Sequence, residues 1–100
     1  MAPFEPLSHT ADLAFKIRGD SPRQLYESAL AAMMFEDLNM VNTPPVSQEI
    51  TSLDHVIKVL NRHLAFCDQH HGCLFKAVSY SGRICTLENG VLEWEMIIDV

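Results

Sequence analysis

The sequence predicts an α+β fold in which two helices pack on one face of a mainly antiparallel sheet. Three observations carry this. Apolar and polar residues alternate with period two near both ends of the chain. Two separate runs place apolar residues at helical spacing. An Asn89-Gly90 pair is set to turn one strand back on the next.

Leu13, Phe15 and Ile17 alternate with Ala14, Lys16 and Arg18, the period of a half-buried strand, and Gly19-Asp20 ends it. Ser21 can cap the helix that follows. Pro22 suits the first helical position, where a backbone N–H would lack a partner, and Gln24 completes a capping box. Leu25, Ala29, Ala32 and Met33 share one helical face, widened by Leu30, Met34, Phe35 and Leu38, so this helix is expected to run to about Leu38. Asn42-Thr43-Pro44-Pro45 is a break, because neither proline can continue a helix. Val46 to Ile50 reads as a short strand.

Ser52-Leu53-Asp54-His55 opens a second helix. Leu53, Val56, Ile57, Leu60 and Leu64 form its apolar stripe, and it is expected to end near His70 with Gly72 as its stop. Leu74 to Ser81 and Arg83 to Leu87 have strand character. Asn89-Gly90 predicts a two-residue hairpin turn with positive φ at both central residues. In the closing strand, Val91 to Val100, Leu92, Trp94, Met96 and Ile98 take one face, and Glu93, Glu95, Ile97 and Asp99 the other. The expected order is strand, helix, strand, helix, strands, in a single domain spanning 1–100.

Charge narrows the function classes. The chain has 7 Lys and Arg against 13 Asp and Glu, a formal net charge of −6. A broad basic face that grips phosphates is therefore not expected, and any contact with RNA would be indirect, through a partner. The acidic excess favours cations and basic protein partners. The opening Met1 to Pro6 has neither a basic start nor a continuous apolar run, so no secretory signal is expected. No apolar stretch approaches the roughly 20 residues needed to span a bilayer. The three cysteines Cys67, Cys73 and Cys85 cannot all pair within one chain, and reduced thiols in a cytoplasmic protein are the plain expectation.

Two carboxylates stand out by position. Asp12 opens the first predicted strand on the face of Ala14, Lys16 and Arg18; Asp99 closes the last on the face of Glu93 and Glu95. If those strands are neighbours, both carboxylates converge at one end of the sheet, with the terminal carboxylate of Val100 beside them. Hard oxygen donors gathered this way suit a divalent cation such as calcium, magnesium or manganese. The plainer alternative is cross-strand pairing of the acidic residues with Lys16 and Arg18. His9 can orient Asp12 or act as a ligand; equally, His9-Thr10-Ala11-Asp12 can be a locally bonded turn.

Cys67, His70, His71 and Cys73 lie close together, but at a spacing that matches no usual zinc pattern, and Cys67 fits the apolar stripe as half-buried core. No nucleophile–base–acid set is visible, and four glycines leave little for a phosphate-cradling loop. A metal-dependent hydrolase of a small phosphate ester would need the same carboxylates plus His9 or Lys76 as base. A structural binding module that has lost the site is a further alternative.

Ser8-His9-Thr10-Ala11-Asp12 with its alternating strand, followed by Gly19-Asp20-Ser21 and an Ala/Met/Phe-rich helix, resembles the start of the archease family. Lys76-Ala77-Val78-Ser79-Tyr80 resembles the family's Lys-Ala-(Ile/Val)-(Thr/Ser)-Tyr motif, and Ile97-Ile98-Asp99-Val100 its closing apolar-Asp-(Ile/Val) segment. The resemblance implies an accessory factor of RtcB-type RNA ligases in tRNA splicing and RNA repair, which promotes ligase guanylylation and turnover. It implies a metal site at Asp12 and Asp99 with Val100, and supporting roles for Lys76 and His9. The chain looks like a short member: roughly two strands and a loop that the family carries before the Lys-Ala motif are missing, and Ser81 stands where the family usually has His. An edge exposed by that loss would favour self-association.

Overall fold

Alternation decides the two central strands, because a strand with one buried face has only one register that keeps its apolar side chains inside. The computed structural model describes residues 2–7, 13–38, 49–80 and 82–100. In chain order these form β1 (Phe4–Leu7), β2 (Leu13–Gly19), α1 (Pro22–Glu36), α2 (Leu53–His71), β3 (Ala77–Val78), β4 (Ile84–Thr86) and β5 (Leu92–Asp99). All pairings are antiparallel, and the sheet order is β1-β2-β5-β3, with β4 also on β5. β3 lies against Ile98 and Asp99 and β4 against Leu92 to Trp94, so the two are successive pieces of one interrupted edge.

Phe15 and Ile17 of β2 and Trp94, Met96 and Ile98 of β5 are buried together. α1 covers them with Leu25, Tyr26, Ala29, Ala32 and Met33, and α2 adds Val56, Val59, Leu60, Leu64 and Cys67 to the same cluster. Burying each large apolar side chain contributes about 1.5–3 kcal/mol, so this shared layer is what holds helices to sheet. The α+β class is as the sequence predicts: two helices on one face of an antiparallel sheet.

The helix starts follow their side chains. Ser21 Oγ accepts from the Gln24 N–H at 3.2 Å, with Pro22 in the first turn, and Ser52 Oγ accepts from the His55 N–H at 3.2 Å. The reciprocal half of the expected capping box is displaced by one residue: Gln24 Oε1 accepts from the N–H of Asp20 at 2.6 Å. Gly72, with φ of 73°, stops α2 as expected.

Several expectations are corrected. β1 adds a strand that is not among those expected; Pro6 is tolerated in it because β1 is an edge, where a missing N–H faces away from the ladder. No described strand lies between the helices: of Val46 to Ile50, only Glu49 and Ile50 are described, neither is in a strand, and Ile50 joins the core. Phe35 and Leu38, expected on the buried side of α1, are 72 % and 78 % exposed: Phe35, in the last turn, meets the sheet only at its edge, with its ring centre 6.0 Å from that of Phe4 in β1, and Leu38 lies beyond the helix end at Glu36.

The edge opposite β1 is shorter than expected. Among the described residues, Leu74 to Ser81 yields only Ala77–Val78, and Arg83 to Leu87 only Ile84–Thr86. The reason is a bulge. Ser79 N–H donates to Ile97 O, and Glu95 N–H donates to Arg83 O, so the edge takes four steps where β5 takes two. Gly82 sits inside that bulge, where a β-carbon would run into the Glu95 carbonyl and the Trp94 indole nitrogen.

The β4–β5 turn also differs. Gly90 has φ of 84°, but Asn89 does not have positive φ. Gly90 N–H donates to Leu87 O at 2.9 Å and Leu87 N–H to Val91 O at 2.8 Å, which is a three-residue loop closing on a left-handed glycine. Asn89 contributes through its side chain, accepting from the Val91 N–H at 3.1 Å.

Candidate carboxylate site at the β2–β5 end

β2 and β5 pair along their whole length, from Gly19 opposite Leu92 to Leu13 opposite Ile98. The strand that begins directly after Asp12 and the strand that ends in Asp99 are therefore neighbours. Asp99 is the last residue of β5, exposed, and paired with Ala77 of β3. Its carbonyl accepts from the N–H of Lys76 at 2.7 Å, which ties its backbone to the segment that leads into β3. Val100 follows at 43 % exposure. Lys76 is exposed and lines a cleft of about 520 Å³ with Asn61, Asp68, Cys73 and Phe75. Asp12 and His9 lie outside the described residues.

Charge on the open sheet face is distributed unevenly. Arg18 Nε donates to Glu93 at 3.1 Å, another of its guanidinium nitrogens donates to Glu5 at 2.8 Å, and Lys16 lies 3.9 Å from Glu93. The hydrogen bond from Arg18 holds the Glu5 carboxyl below its usual range, and the same bond holds the guanidinium proton more tightly. Cross-strand ion pairing therefore accounts for Glu93. Among the described residues, no cation pairs with the Asp99 carboxylate, which separates Asp99 chemically from its acidic neighbour.

A hard divalent cation takes several oxygens. The described residues offer the Asp99 carboxylate and no group of three or more His, Cys, Asp or Glu side chains placed to hold a metal ion. The donor type at Asp99 fits such a cation; the second carboxylate of the expected pair lies outside the described residues. In the Cys67 to Cys73 segment, Cys67 is wholly buried, with its Sγ 3.6 Å from Gly72 O. His70 packs on Phe66, with ring centres 4.3 Å apart and the rings tilted by 37°.

Two polar arrangements escaped the sequence reading. Asn61 grips β3: Val78 N–H donates to Asn61 Oδ1 at 2.8 Å, and Asn61 Nδ2 donates to Val78 O at 3.2 Å. This ties α2 to the edge strand beside Asp99. Between the helices, Tyr26 and His63 share a buried hydrogen bond of 2.7 Å, with their rings stacked. His63 was open to detection, because it lies at helical spacing with Val56, Leu60 and Cys67 and must face the core.

The fold and this site define a small α+β protein with a carboxylate-bearing sheet end. None of its described helices is long and apolar enough to cross a membrane. Set against protein-family models, curated proteins and solved structures, the chain gives no match.

Proposed function

We propose that the chain is an archease-like accessory factor that activates an RtcB-type RNA ligase in the cytoplasm, promoting its guanylylation and turnover in tRNA splicing or RNA repair. It is a protein cofactor of the ligase and has no catalytic residues of its own. The observation that supports this reading is the Leu13–Ile98 pairing. These residues are the chain neighbours of Asp12 and Asp99, the aspartates on which the resemblance rests.

In this reading Asp12 and Asp99, with an oxygen of Val100, hold a calcium, magnesium or manganese ion, and His9 and Lys76 support them. The cation would supply charge neutralisation at the triphosphate during nucleotidyl transfer. The chain's own part is electrostatic. Its net charge of −6 favours docking on a basic active-site region, and the ligase, not this chain, contacts RNA. The exposed β4 edge is where a second copy could add.

The test is ligase guanylylation with limiting ligase and added wild-type chain, Asp12→Ala or Asp99→Ala. The expected result is stimulation by the wild type and its loss in both variants. Equal stimulation by all three would end the reading.

A further inference from the structure

Near its C-terminal end α2 presents a second feature, independent of the carboxylates. Cys67 is wholly buried in the core and donates its thiol hydrogen toward Gly72 O at 3.6 Å. Gly72, with φ of 73°, turns the chain at the end of α2, and its carbonyl, bonded directly to the nitrogen of Cys73, is the group that Cys67 Sγ meets, so the two cysteines are neighbours. Cys73 packs against the core from the outside and also lines the cleft of about 520 Å³ shared with Asp68, Leu74 and Lys76. Cys73 is thus reachable from solvent, and Cys67 is shut off from it. The third cysteine, Cys85, is exposed on β4.

We propose that Cys67 and Cys73 are a disulfide-forming pair, a reversible modification site for low-molecular-mass disulfides of the glutathione class. The Cys73 thiolate attacks one sulfur of glutathione disulfide, forming a mixed disulfide and releasing one glutathione thiolate. Cys67 then loses its proton and attacks Cys73 Sγ, releasing the second glutathione. Two protein thiols give up two protons and two electrons, and one glutathione disulfide becomes two glutathione thiols.

Physical chemistry sets the order and pace of these steps. Burial above all, then the adjoining Cys73 thiol, push the Cys67 thiol up to about 11, and the carboxylates of Asp37 and Asp68 add to this. A thiol so rarely ionised at neutral pH is a poor first attacker, so entry is through Cys73 and closure is the slow step. The mixed disulfide should accumulate before the ring closes.

Closure would also be felt beyond the sulfurs. The segment after Cys73 is held by Leu74 N–H donating to Asp37 Oδ2 at 3.0 Å and by Lys76 N–H donating to Asp99 O at 2.7 Å. A covalent link at its root narrows the freedom of the strap that carries Lys76.

The experiment titrates the native chain with graded ratios of oxidised to reduced glutathione, blocks free thiols at each point, and maps peptides by mass spectrometry. The expected result is a glutathione adduct on Cys73 that converts to a Cys67–Cys73 link lacking two hydrogens, while Cys85 keeps its adduct. Cys85→Ser should leave the conversion unchanged, and Cys73→Ala should leave Cys67 unmodified. Recovery of Cys67 as a free thiol at every ratio in the wild-type chain would overturn the proposal. So would a Cys73 adduct that never closes, or links that run to Cys85 instead.

Discussion

Leu13 and Ile98 face each other across the antiparallel β2–β5 ladder; Leu13 follows Asp12 in the sequence, and Ile98 precedes Asp99. A divalent cation held by those aspartates in the folded chain alone must stabilise the fold. At ten times the dissociation constant the gain is about 1.4 kcal/mol, and in a domain of this size each kcal/mol moves the melting temperature by about 4–8 °C. Under the proposed function, calcium, magnesium or manganese is therefore expected to raise the wild-type melting temperature by several degrees, read by calorimetry. Asp99→Asn should flatten the response, while Glu93→Gln, whose carboxylate is already engaged by Arg18 and Lys16, should retain it. A response equally large in Asp99→Asn would place the cation elsewhere.

The Asn61 clamp predicts a local loss. Asn61→Ala leaves both Val78 backbone groups without their side-chain partner, on a strand only two residues long. An unsatisfied group in a part-buried place costs about 1–3 kcal/mol. The expected fall in stability is about 2 kcal/mol by urea denaturation, with the Val78 amide exchanging much faster. Asn61→Asp keeps the acceptor for the Val78 N–H and loses the donor to its carbonyl, so it should fall between the two.

What could be read from the sequence divides along physical lines. β2 and β5 were legible because one face of each is buried, so burial writes itself as alternation. Both helices were legible from their serine caps and apolar stripes. β1 was hidden by Pro6, whose cost vanishes only when the strand's place at the edge is known. The bulge between Ser79 and Arg83 was hidden because it depends on how closely Gly82 approaches β5. At the site, Asp99 was legible from its place on the polar face, whereas the partners of Asn61 lie 17 residues away, in an element that no local pattern connects to α2.

Gly82 itself gives a third prediction. A β-carbon there would lie against the Glu95 carbonyl and 2.8 Å from Trp94 Nε1, which is buried with no hydrogen-bond partner among the described residues. The obstacle is partly backbone, so it cannot swing aside. Overpacking of this kind costs about 1–3 kcal/mol. Gly82→Ala should lower stability by that amount and blue- or red-shift the Trp94 fluorescence as the ring is displaced; unchanged stability and emission would show that the β4 edge yields easily.

The Tyr26–His63 pair predicts the acid limit of the fold. His63 is a buried polar residue of the core, and burial lowers its pKa below the ordinary 6.5. A depressed histidine binds its proton more weakly folded than unfolded, so the unfolded chain takes up protons first as pH falls. Its contribution is therefore fully present above about pH 6.5 and is lost as pH drops toward the folded value. Stability from this one group should decline with a slope of at most about 1.4 kcal/mol per pH unit in that window, read from urea midpoints between pH 7.5 and 5. Tyr26→Phe removes the hydroxyl that meets Nε2 and should cost about 1–3 kcal/mol at neutral pH. With its partner gone, His63 has every reason to seek water, so the acid decline should begin from this lower baseline. A midpoint that stays flat across the window in the wild-type chain would mean that His63 takes up its proton as readily folded as unfolded, contrary to its position between the two helices.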